Sequence, residues 1–244
     1  MKVYPFQTPE STAEAVTRKI ISDLEMHDSK EFNLAISGGS TPALLFKLWR
    51  EKYKGKIEWE RINLYWVDER CVAEESAESN YGEAKRGFID HLEIKPKNIY
   101  PIDGKAEPST EAERYNGLLK ENLSCHNGYP IFDLVILGVG TDGHTSSIFP
   151  GQKRLLQSPN AYEATTHPES GQNRIALTAR PIYEARTLIF HATGASKANI
   201  FDAMLGNDPE SEKLYPAVYI ARRAENAELY TDKEALSHMK ISAL

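Results

Sequence analysis

The sequence has 244 residues, of which 41% are hydrophobic and 26% are charged, and its formal net charge is -6. A chain of this length and composition is typical of a soluble globular protein with one domain or two small ones. The acidic balance argues against general binding to nucleic acid and against an anionic membrane surface, but it leaves room for a small phosphorylated ligand.

Cysteine usage and the N-terminus indicate the compartment. Cys71 and Cys125 form no C-x-x-C unit and no metal-ligand spacing, which favours free thiols in a reducing environment. The N-terminus has no charged-then-apolar signal, and no apolar run approaches the ~18 residues of a membrane span. We therefore expect a cytoplasmic protein with no membrane partner.

The first predicted elements are a short strand at residues 3–6, a helix at residues 12–26 and a buried strand at residues 32–36. Apolar residues at helical spacing indicate the helix. Residues 11–14 read Ser-Thr-Ala-Glu, which resembles a capping box at its start.

The loop Ser37-Gly-Gly-Ser-Thr-Pro42 joins the second strand to a predicted helix. Gly38 and Gly39 allow backbone N–H groups to point into a shared concavity. Thr41 suits an N-cap and Pro42 the first helical position, so the helix N-terminus could bind a phosphate. A plain glycine turn capped by Thr41 is the alternative. The loop matches neither a Walker A loop nor a dinucleotide fingerprint.

A third strand, residues 62–67, ends in the charged triplet Asp68-Glu-Arg70. If the sheet is parallel, these side chains face the same crevice as the glycine loops. Arg70 offers a fixed fork of donors that suits a phosphate or an oxyanion. A solvated loop is the alternative.

The middle of the chain is predicted to hold a helix at residues 80–92, a short strand at residues 99–102 and a helix that ends near residue 123. Residues 110–113 read Thr-Glu-Ala-Glu, a second resemblance to a capping box. Prolines punctuate the segment around the short strand.

A buried strand at residues 132–137 leads into a glycine-rich turn that carries Asp142 and His144. In open α/β sheets this is where ligands bind, and a histidine there can exchange a proton near neutral pH. The alternative is an ordinary turn, because glycine, aspartate and histidine all suit turns.

Two cations follow later glycine-containing loops. Arg174 enters a predicted strand at residues 174–178 from the loop side, where it could reach a phosphate or form a surface salt bridge of little energy. Lys197 falls in the first turn of a helix that ends at Gly206, a position where the helix dipole disfavours a cation. It either faces a bound anion or is simply solvated.

Three further strands are expected at residues 161–165, 187–193 and 228–232, and a closing loop at residues 214–220. Strands and helices alternate throughout, which predicts a doubly wound, mostly parallel α/β sheet with helices on both faces. The histidines other than His144 show no metal-ligand pattern. We interpret His191, in a buried strand, as a core histidine with satisfied hydrogen bonds.

Residues 137–151 read Leu-Gly-x-Gly-x-Asp-Gly-His-Thr-x-Ser-x-Phe-Pro-Gly, which resembles the signature of 6-phosphogluconolactonases. It is similar, less closely, to that of glucosamine-6-phosphate deaminases, which share the fold. Further motifs follow in the family's order, at residues 37–42, 67–70, 79–82, 174–178, 194–197 and 216–217. The resemblance covers nearly the whole chain and implies a single domain over residues 1–244. The implied fold is Rossmann-like, of the glucosamine-6-phosphate deaminase and ribose-5-phosphate isomerase type.

Two positions favour the lactonase. Deaminases carry a glutamate five residues after the central histidine, where it helps tune that histidine; here the position is Phe149, which cannot exchange a proton. Deaminases typically read Asp-Glu-Tyr where this chain reads Asp-Glu-Arg70. A deaminase or isomerase activity, or a non-catalytic sugar-phosphate-binding protein, stays as an alternative; ammonia release and binding without turnover are the respective tests.

The resemblance implies hydrolysis of 6-phospho-D-glucono-1,5-lactone to 6-phosphogluconate in the oxidative pentose phosphate pathway, a carboxylic ester hydrolase reaction. It assigns proton transfer to His144, its orientation to Asp142, and phosphate or oxyanion binding to Arg70. The 6-phosphate is assigned to Gly38, Gly39, Ser40, Thr41, Arg174 and Lys197. The implied partner is a small sugar-phosphate lactone, with no cofactor or metal, and the protein is expected to be a monomer or homodimer.

Overall fold

The computed structural model describes residues 1–92 and 94–238. The strands are β1 (Lys2–Phe6), β2 (Phe32–Ile36), β3 (Ile62–Trp66), β4 (Asp68–Arg70), β5 (Ile99–Tyr100), β6 (Cys125–His126), β7 (Tyr129–Pro130), β8 (Leu134–Leu137), β9 (Tyr162–Thr166), β10 (Asn173–Leu177), β11 (Thr187–His191) and β12 (Ala227–Asp232). The helices are α1 (Pro9–Met26), α2 (Ser40–Glu51), α3 (Asn80–Gly87), α4 (Pro108–Asn122), α5 (Lys153–Leu156), α6 (Ala179–Tyr183), α7 (Ala198–Leu205), α8 (Pro209–Leu214) and α9 (Pro216–Arg223). Short 3-10 turns cover residues 59–61, 89–91, 96–98, 195–197 and 234–236.

Seven strands form one parallel sheet in the order β1-β12-β11-β8-β2-β3-β5. The chain runs outward from β2 to β3 and β5, and then returns to β8 on the other side of β2. The crevice between β2 and β8 is therefore the point where the winding reverses, the usual ligand site of such sheets. The predicted doubly wound, mostly parallel α/β sheet is confirmed.

Three strands form a separate antiparallel sheet in the order β4-β10-β9. The chain passes from β3 to β4 through Val67, whose carbonyl accepts a hydrogen bond from the Leu177 N–H at 2.8 Å. Residues 68–70, expected as charges at the end of a parallel strand, are thus a strand of their own. This places Arg70 directly opposite Arg174.

The core lies on the strands of the parallel sheet. All four residues of β8 and all five of β3 are buried, which explains why these segments read as continuous apolar runs. An aromatic cluster of Phe46, Trp49 and Phe88 packs α2 against the segment after α3, with ring centroids 4.9–5.6 Å apart. Burial of each such side chain contributes about 1.5–3 kcal/mol.

Two helices begin earlier than their predicted capping boxes. Thr8, not Ser11, caps α1: its side chain accepts the Ser11 N–H at 3.2 Å, and the Ser11 hydroxyl accepts the Thr8 N–H at 3.0 Å. Glu107 caps α4 by accepting the Thr110 N–H at 2.7 Å. In both cases a proline, Pro9 or Pro108, follows the cap and presets the first helical residue. The predicted capping boxes at 11–14 and 110–113 are wrong.

Two further boundaries differ from prediction. Gly39 is the N-cap of α2, so the helix starts at Ser40, and Thr41 and Pro42 lie inside its first turn rather than at its cap. The predicted closing loop at residues 214–220 is mostly helical, because Pro216 opens α9. Within residues 1–92 and 94–238, no helix is both long and apolar enough to span a bilayer.

Candidate active site

The two glycine loops lie side by side at the crevice between β2 and β8. Ser37 joins them: its hydroxyl donates to the Ile136 carbonyl at 2.9 Å and accepts the Gly138 N–H at 3.2 Å. This one side chain, 6% exposed, holds the ends of both strands together. The loops that follow therefore face a common space.

That space is a cavity of about 380 Å³. Every residue that sequence reasoning assigned to the site lines it except Asp142: these are Gly38, Gly39, Ser40, Thr41, Arg70, His144, Arg174 and Lys197. Segments from five separate parts of the chain thus meet in one place. The convergence that the parallel topology predicted is observed.

Asp142 contacts His144 directly. The Asp142 Oδ1 atom lies 2.6 Å from His144 Nδ1, and it also accepts the His144 backbone N–H at 3.1 Å. Burial alone would raise the pKa of the Asp142 carboxyl, but the hydrogen bonds and charge of His144 outweigh burial and lower it. An ionised carboxylate can only accept, so Nδ1 carries the proton and the lone pair is on Nε2.

Two glycines give this pair its space. A Cβ atom on Gly140 would lie 2.2 Å from His144 Nδ1 and 2.4 Å from Asp142 Oδ1, so only glycine fits there. Gly143 has φ +82°, and a Cβ on it would lie 2.5 Å from the Tyr215 ring. The Gly143 carbonyl accepts the Ala217 N–H at 3.0 Å, which anchors the loop to the start of α9. This contact accounts for the motif at residues 216–217.

Phe149 covers one side of the imidazole. Its ring centroid lies 4.9 Å from that of His144, and the side chain is 2% exposed. The position that holds a proton-carrying glutamate in deaminases is therefore apolar and in contact with His144. Asp142 remains the carboxylate bonded to this histidine.

The loop at residues 38–41 differs in one respect from the predicted phosphate cradle. Ser40 and Thr41 occupy the first turn of α2, where backbone N–H groups have no acceptor within the helix. The Gly39 N–H, however, donates to Glu83 Oε2 at 2.8 Å. One of the expected phosphate donors is therefore already bonded to a carboxylate of α3.

Lys197 ends a 3-10 turn and directly precedes α7. Burial lowers the pKa of its ammonium group, and the Asp142 carboxylate opposes part of this effect. Gly194, with φ +92°, starts the turn, and its N–H donates to Asp232 at 2.9 Å. The lysine is therefore held at a helix N-terminus in the cavity wall, near enough to Asp142 for that carboxylate to act on its charge.

Arg70 and Arg174 are cross-strand neighbours in the antiparallel sheet. The Nε atom of each is buried and has no hydrogen-bond partner in the part of the chain that the structure describes. Burial lowers the pKa of the Arg174 guanidinium. The charge of Asp68 opposes this effect, and the positive charge of Arg70 adds to it. Like charges in opposed positions are unfavourable unless an anion lies near both.

Glu69 does not face the cavity, contrary to the expectation for the whole triplet. Side chains alternate along a strand, so Asp68 and Arg70 line the cavity while Glu69 points away from it. Glu69 is 1% exposed, and its carboxylate accepts the N–H groups of Asn80 and Tyr81, each at 2.8 Å. Burial raises its pKa although these hydrogen bonds lower it. It holds the start of α3.

Sequence reasoning missed several polar residues that line the cavity, among them Asn80 and Ser147. Asp68 connects the two: it accepts a hydrogen bond from the Ser147 hydroxyl, and its Oδ1 lies 3.3 Å from Asn80 Nδ2. Both residues lie inside motifs, at 79–82 and 137–151, that carry the family resemblance. That membership was the signal available in the sequence.

His191 is buried as expected, with 1% exposure, but its expected hydrogen bonds are not observed. Neither ring nitrogen has a partner among residues 1–92 and 94–238, and burial lowers its pKa to about 3. Its registered neighbour in β12 is Tyr230, whose hydroxyl donates to Glu228. Over the same residues, no group of three or more His, Cys, Asp or Glu side chains is arranged to hold a metal ion.

Comparison with known proteins identifies similar chains. A family model described as glucosamine-6-phosphate isomerases/6-phosphogluconolactonase matches residues 7–230. The 6-phosphogluconolactonase of Aggregatibacter actinomycetemcomitans is 36% identical, over 96% of this chain and 98% of the relative. That of Haemophilus influenzae is 37% identical, over 92% of this chain and 96% of the relative. The solved structure of 6-phosphogluconolactonase from Trypanosoma brucei superposes with a TM-score of 0.86 at 26% identity, over 98% of each chain.

Proposed function

The chain belongs to the family of glucosamine-6-phosphate isomerases and 6-phosphogluconolactonases, and on this premise we propose that it hydrolyses 6-phospho-D-glucono-1,5-lactone to 6-phosphogluconate. The protein is accordingly an enzyme of the pentose phosphate pathway. The observation that carries the proposal is the arrangement of one cavity. Its wall includes His144, which bonds to Asp142, together with the loop at residues 38–41 and Lys197.

His144 acts as the base in the proposed reaction. Its Nε2 takes a proton from a water molecule while the water oxygen forms a bond to C1 of the lactone. The carbonyl electrons move onto the carbonyl oxygen, which becomes an oxyanion. When the oxyanion collapses, the bond between C1 and the ring oxygen breaks, and His144 returns its proton to that oxygen. Asp142 holds the tautomer that this sequence requires and stabilises the charged imidazole.

The anionic end of the substrate binds where the cations and helix N-termini meet. We assign the 6-phosphate to the loop at residues 38–41, with Lys197 and Arg174 supplying charge. The Gly39 N–H already donates to Glu83, so it helps to fix the shape of the loop and is not a free donor for the phosphate. Arg70 serves the phosphate or the oxyanion; a variant that raises KM alone indicates the first role, and one that lowers kcat indicates the second.

Phe149 supports lactone hydrolysis over deamination. In the deaminase pattern a glutamate at this position supplies an ionisable partner to the histidine. Here a buried phenyl ring contacts the imidazole instead. A lactone carbonyl is already electrophilic, so its hydrolysis requires only an activated water and a stabilised oxyanion.

We also propose a cytoplasmic location and action as a monomer or homodimer on its small-molecule substrate. Both cysteines, Cys71 and Cys125, are free thiols, which suits a reducing compartment. Fractionation of cells and light scattering of the purified protein test these two statements.

The test is a coupled assay in which freshly made 6-phosphogluconolactone is supplied and 6-phosphogluconate is measured, corrected for spontaneous hydrolysis. We expect enzyme-dependent turnover that His144→Ala abolishes or strongly reduces. The same preparation is incubated with glucosamine 6-phosphate, and ammonia is measured. Ammonia release without lactone hydrolysis contradicts the proposal, as does binding of 6-phosphogluconate without any turnover.

A further inference from the structure

Asn80 is a polar side chain of the cavity wall that the proposed reaction does not use. It is the first residue of α3 and is 1% exposed. Its amide nitrogen Nδ2 donates to the Asp68 carbonyl at 2.8 Å and lies 3.3 Å from Asp68 Oδ1. Its amide oxygen Oδ1 is buried and has no partner within residues 1–92 and 94–238.

Chemistry fixes which end of the amide is free. The carbonyl and carboxylate oxygens of Asp68 are acceptors, so the end of the Asn80 amide that faces them must be the NH₂ group. The opposite end is then the oxygen, which can only accept. Any group that satisfies it must bring an O–H or N–H.

The backbone of Asn80 is also held firmly. Its N–H donates to Glu69 at 2.8 Å, and the preceding residue, Ser79, donates its hydroxyl to the same carboxylate at 3.1 Å. The side chain is therefore preorganised, with little rotamer freedom left to lose when a ligand binds.

The free oxygen lies against the loop that is assigned to the phosphate. A Cβ atom built on Gly38 would be 2.1 Å from Asn80 Oδ1, so Gly38 leaves the space that this oxygen occupies. Two hydroxyls of the cavity wall are committed elsewhere: Ser37 donates to the Ile136 carbonyl and Ser147 donates to Asp68. A buried acceptor without a donor is unfavourable, so the missing donor is expected to come from a ligand.

We propose that Asn80 is a substrate-binding residue whose Oδ1 accepts a hydrogen bond from a ring hydroxyl of the lactone. The inference rests on the proposed function and extends it to specificity. The lactone ring carries hydroxyls at C2, C3 and C4, and each can donate a hydrogen bond; the C4 hydroxyl is the one nearest to the carbon that carries the phosphate arm. A site built to bond a hydroxyl discriminates strongly against an analogue that lacks it, because the buried acceptor is then left unpaired.

The experiment is a double-mutant cycle between the protein and its substrate. The kcat/KM values of wild type and Asn80→Ala are measured with the full lactone and with three analogues, each lacking the hydroxyl at C2, C3 or C4. For the full lactone we expect Asn80→Ala to lower kcat/KM about 3- to 10-fold, the usual effect of losing one hydrogen bond. With the one analogue that lacks the bonded hydroxyl, the kcat/KM values of wild type and Asn80→Ala should be nearly equal.

Asn98→Ala is the matched control. Asn98 is also a buried asparagine, 6% exposed, whose amide donates to the carbonyls of Glu60 and Ile62 away from the cavity. Asn98→Ala should lower stability without changing the ratio of kcat/KM for the full lactone to kcat/KM for any analogue. If Asn80→Ala does not fold, Asn80→Ser replaces it in the cycle, because the serine hydroxyl keeps a donor near Asp68.

The outcomes separate the two proposals. A wild-type protein that hydrolyses none of the lactones overturns the proposed function itself. If the wild type is active but Asn80→Ala lowers kcat/KM by the same factor with all four substrates, only the assignment of Asn80 is overturned. A loss that disappears with one analogue supports the hydrogen bond and identifies the hydroxyl.

Discussion

Asp142 Oδ1 and His144 Nδ1 lie 2.6 Å apart although only one residue separates them in the chain. Gly143, with φ +82°, turns the backbone so that the two side chains point to the same side. The lowered pKa of Asp142 keeps its carboxylate ionised to lower pH than an ordinary aspartate. The pair is therefore an oriented imidazole with a free Nε2, as hydrolysis of an activated carbonyl requires.

Replacement of His144 tests the proton transfer. Removal of a positioned general base typically lowers the rate by about 10²–10⁴-fold, so we expect His144→Ala to lower kcat within this range while the protein stays folded. The measurement is the coupled lactonase assay, together with circular dichroism. His126→Ala is the control, because His126 lies outside the cavity and its side chain is 70% exposed. Near-wild-type turnover of His144→Ala would rule out the assigned role.

Gly140→Ala tests whether the Asp142–His144 pair must be in contact. The added methyl group would overlap both side chains, at 2.2 Å from Nδ1 and 2.4 Å from Oδ1, so the pair must separate. We expect kcat to fall by about tenfold or more, with a loss of stability of about 1–3 kcal/mol. Gly117→Ala is the control. It lies within α4, where a Cβ would meet nothing within 4 Å, and should be neutral or stabilising. Equal activities of the two variants would contradict the requirement.

The affinity for a phosphorylated ligand should depend on the ionisation of Lys197. Burial lowers the pKa of its ammonium group, so the charge is lost at lower pH than for a solvated lysine. Affinity for 6-phosphogluconate should therefore weaken as pH rises through the lowered pKa of Lys197, before a solvated lysine would lose its charge. In the free protein, the unfolded chain binds more protons at pH values between the lowered pKa of Lys197 and that of an ordinary lysine. The free energy of unfolding should therefore rise with pH in this range. Calorimetric titration measures the affinity.

Lys197→Arg is the informative control for this dependence, since a guanidinium stays charged throughout the range. We expect its affinity to change less with pH than that of wild type. Parallel pH profiles for the two proteins would show that Lys197 does not titrate in contact with the ligand.

His191 should make the protein less stable in acid. Its folded-state pKa of about 3 lies below the ordinary value of 6.5, so between these values the unfolded chain binds more protons. The free energy of unfolding should then fall as pH falls through this window. His191→Leu removes the group at similar volume and should flatten the slope by up to about 1.4 kcal/mol per pH unit.

Urea denaturation at several pH values measures this slope. His126→Leu, the same substitution at an exposed histidine, is the control. If His191→Leu and wild type lose stability in parallel on acidification, the buried histidine does not contribute as expected.

Much of the fold could be predicted from local patterns. Buried strands such as β3 and β8 read as apolar runs because both of their faces are covered, and the glycine loops follow them directly. The parallel alternation then places the loops at one edge of the sheet. The family resemblance assigned Gly38, Arg70, His144 and Lys197 to one site, and the parallel alternation explains why all four line one cavity.

Helix starts were predicted less well because different caps compete. Ser11 and Thr110 each begin a plausible capping box, but a proline three or fewer residues earlier sets the helical backbone first. His191 shows a related difference. Its burial follows from its strand, whereas its lack of a hydrogen-bond partner depends on which side chains surround it.

The sequence by itself determined the order of strands and glycine turns, and with it the family and the cation and imidazole content of the site. Only the tertiary structure decided that Asp142 bonds to His144, that Glu69 turns away to hold α3, and that Asn80 reaches the cavity. The physical reason is the range of the interactions. A strand or turn follows from neighbours in the chain, whereas the Ser147–Asp68 hydrogen bond joins residues 79 positions apart. Its geometry exists only once the two sheets have packed.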